Sequence, residues 1–247
     1  MVHCSIANGF TNGTGNQLSH VYASSEKFYN DFDDRDQRKN GTYIKSVLDS
    51  DGKGTPFTFT TFLRFRKYAG EVLQHTQILA AAQTRDINRT VIRYAEVLLL
   101  KAEAINERDG KPNAEAYEAI NQVRRRAFKQ FPVTSPSTEP GVELSSGLNY
   151  EGFKAAIQQE RVFELTYEQN RWTDLVRWRI LQKTLKDAVT NGDIPANWGK
   201  QNVQPHNYRF PIPKAERDIN PEGLWQNFGY DGYDVAKTGA NPYAGFE

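Results

Sequence analysis

Two helix-patterned runs separated by a very short break constrain the fold more than anything else in the chain. "TVIRYAEVLLLKAEAINERDG" (90–110) places apolar or small residues at Ile92, Ala95, Leu98 or Leu99, Ala102 and Ile105, then stops at Gly110. That three-to-four spacing belongs to a helix with one inward face. After Pro112 a second run, Asn113 to Phe128, turns Ala116, Ala119, Ile120 and Val123 to one side. So short a link predicts an antiparallel hairpin, and Ala95, Ala102, Ala116 and Ala119 let the two backbones come close. A single hairpin of this tetratricopeptide-like character cannot bury its own face, because such repeats stabilise one another by stacking. Either the remaining helices complete the layer or the chain belongs to something longer.

The rest of the chain divides around this hairpin. Residues 1–70 are expected to form loops and a small β-hairpin, 84–130 the helical hairpin, 150–190 a charged helix region, and 191–247 an irregular tail, all in one domain spanning 1–247. The β-hairpin rests on "TYIKSVL" and "PFTFTTFLRFRKY", where Phe57, Phe59 and Thr61 alternate with Thr58 and Thr60. They flank "DSDGKGT", whose Asp-Gly pair is a strong turn signal. "PVTSPSTEPGVELSSGLN", rich in Pro, Ser and Gly, is expected to be a surface excursion.

Several function classes are disfavoured. "SIANGFTNGTGN" holds clustered glycines but no GK[ST] follows, so it does not make a phosphate cradle. Asp31, Asp33 and Asp34 lack the central glycine and terminal glutamate of a calcium loop. One cysteine, Cys4, leaves no internal disulfide and no Cys-rich metal site. No metal site and no cofactor are expected. Thirty-one basic residues against 30 acidic ones give a formal charge of +1, too little to hold a polyanion, so no nucleic-acid partner is expected.

"ERVFELTYEQNRWTDLVRW" (160–178) is the most heavily charged stretch, expected within a third helical run, continuous or broken, from near Tyr150 to about Val189. On a helix, Glu160, Glu164 and Glu168 share one side, and Glu168, Arg171, Asp174 and Arg177 follow each other at intervals of three, a spacing for local ion pairs. Paired carboxylates also serve glycoside cleavage, but there they must face each other across a cleft, usually from different elements. No histidine follows these glutamates at di-metal spacing, and no HExxH or nucleophile elbow occurs. The stretch is therefore expected to be a structural ion-pair network.

Three ordered motifs carry a resemblance: "RYAEVLLLKAEA" (93–104), "ERVFELTYEQNRWTDLVRW", and "PIPKAERDINPEGLWQNFGY" (211–230). "FYNDFDDRDQR" and "FRKY" add weaker matches upstream. Together they resemble the C-terminal half of SusD/RagB-like proteins. The resemblance implies a mainly α, SusD-like fold built of tetratricopeptide-like hairpins with long irregular loops. It implies a non-catalytic, surface-exposed lipoprotein of the cell outer membrane that binds a nutrient, most often an oligosaccharide or polysaccharide, over a TonB-dependent transporter. Arg93 and Glu96, with the charges from Glu160 to Arg177, become framework that locks the final helices together. Family members are markedly longer and begin with an export signal and a lipid-carrying cysteine, so this chain is expected to be a fragment or a short member with part of its base uncovered.

Sugar contacts are expected outside the helical framework, from aromatic faces with Asn, Asp, Gln or Arg beside them. Phe10 with Asn12, Tyr22 and Trp198 are the candidates. Trp172 and Trp178 are assigned to packing, and Trp225 and Tyr230 to anchoring the closing motif. A tetratricopeptide-like scaffold that binds a peptide, and less so a helical glycoside hydrolase, are the rival readings.

Overall fold

The computed structural model describes residues 9–11, 17–19, 24–44, 47–48, 54–55, 62–65, 67, 90–168 and 170–246. Cys4, Asn12, Tyr22, the alternating positions 57–61 and residues 84–89 lie outside the described residues. The chain is mainly helical and divides into two units, 3–170 and 171–247.

In the first unit short antiparallel strands precede the helices. β1 (Gly9–Thr11) pairs with β2 (Gln17–Ser19). β3 (Ser24–Ser25) and β4 (Tyr43–Ile44) flank β7 (Phe62–Phe65), and β5 (Val47–Leu48) pairs with β6 (Gly54–Thr55) across the Asp-Gly segment. α1 (Glu26–Asn30) and α2 (Gln37–Thr42) are single turns. Phe28 and Phe32 fix this region: Phe28 stacks on Phe163 at 5.8 Å, and Phe32 lies 4.4 Å from the same ring.

α3 (Tyr94–Asp109) and α4 (Ala114–Ala127) form the hairpin. Gly110 ends α3 at φ 65, a left-handed position that glycine takes without steric cost, and Asn113 caps α4 by accepting from the Ala116 amide at 3.0 Å. Their faces meet through Leu98, Leu99, Ala102, Ile105, Ala116, Ala119, Ile120 and Val123, all buried. α5 (Tyr150–Glu164), capped by Asn149, adds Phe153 and Ile157 to the same core. Ile92, expected to face inward, is 64% exposed, because the helix begins only at Tyr94 and the helical register does not reach back to it.

The 132–149 connection runs mostly over the surface, as expected, and α4 side chains satisfy its backbone. Arg124 donates to the Val142 and Gly141 carbonyls, both at 2.7 Å, and Asn121 accepts from the Leu144 amide at 2.8 Å. Val142 is fully buried, and Arg125, 2% exposed, binds Glu118, Glu143 and the Val133 carbonyl. Where the loop is buried, at Val142, its backbone requires such partners. The region 150–190 is broken into three helices: α5, α6 (Asn170–Arg177) and α7 (Leu181–Thr190). The chain turns through left-handed φ at Tyr167 and at Arg179.

The unit 171–247 is built on aromatics. Leu175, Leu181, Leu185, Tyr208 and Tyr243 form its core, with Phe228 and Phe246 packed against it. Between them run 3-10 turns at Ala196–Trp198, Lys200–Asn202 and Pro205–Tyr208, then α8 (Lys214–Ile219) and α9 (Val235–Thr238). The closing motif works as a clasp. Gln226 accepts from the Ile212 amide and donates to its carbonyl at 2.8 and 3.1 Å, and Asn227 donates to the Phe210 carbonyl at 2.7 Å. Gly229, at φ 81, lets the chain pass His206, and Tyr230 then donates to the Arg209 carbonyl at 2.7 Å.

Candidate functional site

The charged residues of 160–168 converge within the first unit, but their partners come from far along the chain. Glu160 and Glu164, one helical turn apart on α5, are 2% and 1% exposed. Arg38 of α2 reaches both, donating from Nη1 at 2.5 Å to Glu160 and 3.1 Å to Glu164, while Asp36 holds its Nε and Nη2. Arg124 closes on the second Glu160 oxygen at 3.0 Å. Glu164 also accepts from Arg93 and Arg126. Arg93, at the α3 N-cap position, uses its remaining donors on Glu168 at 2.7 Å and on the Glu164 carbonyl at 2.7 Å. Lys67 bridges Glu168 at 2.6 Å and that same carbonyl at 2.9 Å. Glu96 accepts from Asn170 at 3.1 Å and lies 3.5 Å from Arg161.

Electrostatics follow the geometry. Burial would raise the Glu164 carboxyl, but the guanidinium charges of Arg38, Arg93 and Arg126 hold it down at about 2. Burial pulls Lys67 below the usual lysine value despite Glu168 beside it. Ionised at neutral pH and occupied by arginines, Glu164 has no proton to give as a general acid. Glu160, with an arginine on each oxygen, has no free oxygen for attack. A glycosidase pair needs one carboxyl of each kind facing the substrate.

The wall of this cluster is open on one side as a cleft of about 380 Å³, lined by Arg38, Thr42, Lys67, Arg93, Arg126 and Glu168 among others. Asp33 and Asp34, noted for their calcium-like spacing, are bound to Arg35 and Lys39 at 2.7 and 2.6 Å. Among the described residues no group of three or more His, Cys, Asp or Glu is placed to hold a metal ion.

In the second unit, Asp174 is buried and accepts from Arg177 at 3.0 Å, three residues on. Burial lowers Arg171 to about 10 against the pull of Asp174. α6 turns Asp174 and Leu175 inward, and Trp172, two residues before Asp174, lies nearly opposite that aspartate on the helix. It is 41% exposed rather than packed away, and it stacks on Phe210, 73% exposed, with centroids 5.9 Å apart and planes at 24°. Trp225, expected as an anchor, keeps 38% of its surface. Phe210 is not among the expected contacts: it lies in the irregular segment between the Pro205–Tyr208 turn and α8, where spacing gives no signal. Of the four expected ligand contacts, Phe10 lies on β1 and Trp198 in the turn Ala196–Trp198, while Asn12 and Tyr22 lie outside the described residues.

A sequence profile described as the SusD family matches residues 1–230. The SusD-like protein P25 of Formosa agariphila is 38% identical over 146 residues, covering 59% of this chain and 25% of that protein. A SusD homolog from Bacteroides thetaiotaomicron superposes with a TM-score of 0.63 at 24% identity, over 92% of this chain and 46% of that one. Surface glycan-binding protein A from the same organism, solved in complex with laminarihexaose, gives 0.57 at 22% identity, over 90% and 45%. The chain thus spans about a quarter of that curated relative and under half of these solved structures.

Proposed function

Because the chain belongs to the SusD family, we propose that it binds a glycan without cleaving it, as a component of nutrient uptake at the surface of the outer membrane, partnered by a TonB-dependent transporter. The Trp172–Phe210 pair carries this reading. Two large aromatic rings side by side at the surface are costly to leave against water unless something apolar covers them, and the C–H face of a pyranose suits an aromatic plane. A polar rim gives such a platform its selectivity. Phe10, Asn12, Tyr22 and Trp198 are proposed as further contacts. Arg93, Glu96, Glu160, Glu164, Glu168, Arg171, Asp174 and Arg177 are proposed as scaffold, not reactants.

The test is migration in native gels cast with a panel of polysaccharides, with reducing ends assayed in parallel. The expected result is retardation by at least one glycan with no reducing ends released, and loss of retardation in the Trp172→Ala, Phe210→Ala double variant. Release of reducing ends would overturn the non-catalytic reading. Co-purification with a TonB-dependent transporter from outer membranes tests the partner.

A second reading has one observation in its favour. Tyr94, Val97 and Leu100 lie three residues apart on the outer face of α3 and stay 70%, 45% and 40% exposed, and a groove of about 250 Å³ runs beside Tyr94 and Val133. That face suits a helical or peptide partner. Peptide capture abolished by Tyr94→Ala but untouched by the Trp172 and Phe210 changes would favour it.

A further inference from the structure

The cleft beside Glu164 has a donor surplus in one place. Among the described residues five cations meet there (Arg38, Lys67, Arg93, Arg124 and Arg126) against four carboxylates (Asp36, Glu160, Glu164 and Glu168), leaving one positive charge over in this group. Every guanidinium nitrogen of Arg38 is engaged by Asp36, Glu160 or Glu164. All three of Arg93 are engaged by Glu164 and Glu168. Arg124 spends its nitrogens on Glu160 and on the Val142 and Gly141 carbonyls.

Arg126 differs from the others. It touches Glu164 through Nη2 alone, its side chain is 49% exposed, and its Nε and Nη1 bind nothing among the described residues. Lys67 on the same wall gives two of its three hydrogens to the Glu164 carbonyl and to Glu168, leaving one without a partner among the described residues. The unmatched charge and the unused donors therefore fall on the same wall of one cleft, whose volume of about 380 Å³ accepts a small polar group. Nη2 carries a second hydrogen, which lies parallel to one on Nε or on Nη1, so the guanidinium keeps a two-pronged face that matches an oxyanion with two oxygens, and a nearby ammonium adds a third donor.

We propose that this cleft binds a single oxyanion group, a carboxylate or a sulfate ester, through Arg126 with Lys67. If the proposed function holds, the group is carried on an acidic saccharide, so that this step rests on that reading while the anion site itself does not. The half-buried setting leaves the pair only partly screened, so affinity falls as ionic strength rises.

Two arms separate the sources. Free galacturonate and free sulfate are titrated calorimetrically into the whole chain and into Arg126→Gln and Arg126→Lys variants. Gel retardation is then compared for a neutral polysaccharide, its carboxylated counterpart and its sulfated counterpart. Arg38 and Arg93 still hold Glu164 in the Arg126 variants, and their thermal unfolding without anion verifies that they fold. The expected result is anion binding that Arg126→Gln weakens at least tenfold and Arg126→Lys restores only in part. Acidic polymers should likewise retard the chain more than the neutral one, in an Arg126-dependent way. Equal binding of the anions by wild type and Arg126→Gln, or no binding of either anion, overturns the site. Retardation by neutral glycans alone overturns the acidic-sugar assignment and leaves glycan binding standing, whereas anion binding without retardation by any polymer upholds the site and removes the saccharide reading.

Discussion

Residues 90–168 and residues 171–246 contain similar numbers of residues and solve the problem of order in different ways. In the first stretch long helices satisfy their own backbones, small alanines bring α3 and α4 together, and the charges left over are buried as arginine–glutamate pairs. In the second the helices are short, and side chains do what regular structure does elsewhere. Gln226, Asn227 and Tyr230 bond to the backbone around Phe210, and Tyr208, Tyr243 and Phe246 make the core. The contrast teaches that a buried charge and a buried aromatic both specify a unique arrangement, but they fail differently. Removing one member of a buried ion pair strands its partners, whereas disturbing an aromatic clasp loosens a local turn.

The largest effect should come from Glu164→Gln. It leaves Arg38, Arg93 and Arg126 facing a neutral group at a 1%-exposed site, and a loss of about 3–5 kcal/mol in urea unfolding is expected, with amide exchange rising first along α5. A loss under about 1 kcal/mol would show that the network contributes little and would break the comparison.

Acid should probe the same charge without mutation. The Glu164 carboxyl titrates near 2 in the folded chain against an ordinary 4.5, so its contribution is complete above pH 4.5 and disappears as pH falls toward 2. The difference corresponds to about 3 kcal/mol. Exchange of α4 and α5 amides followed from pH 5 to pH 2 should accelerate in this window in the wild type and much less in Glu164→Gln.

The smallest of the three sharpens the other side. Gly229→Ala places a Cβ 2.5 Å from the His206 Cβ at a left-handed φ of 81°, and a cost of about 2 kcal/mol is expected. Exchange should increase around Pro205–Tyr208 and Phe210 while α3 to α5 keep their protection. Equal loss of protection in α3 to α5 would mean that the two stretches are not distinct in this sense.

Much of the first stretch was legible in the sequence. Periodicity gave the inward residues of α3 and α4, and Gly110 and Asn113 marked the helix ends within a residue. The partners of Glu160 and Glu164 were not legible, because Arg38 lies 122 and 126 residues away and Arg93 71 residues away. Spacing within a helix reveals only neighbours on that helix. The same limit explains Trp172. Hydropathy alone sends tryptophan inward and aspartate outward, and α6 does the reverse once Asp174 has Arg177 to bind.

The sequence by itself determined the helical hairpin, its caps and the order of motifs that mark the family, because these depend on local backbone preference and on which residues repeat on one face. Only the tertiary structure decided which cation meets which carboxylate, which arginine keeps donors to spare, and which aromatic rings stay in water. Those outcomes depend on pairs far apart in the chain and on the competition among several equivalent charges for the same buried oxygens, which no local pattern encodes.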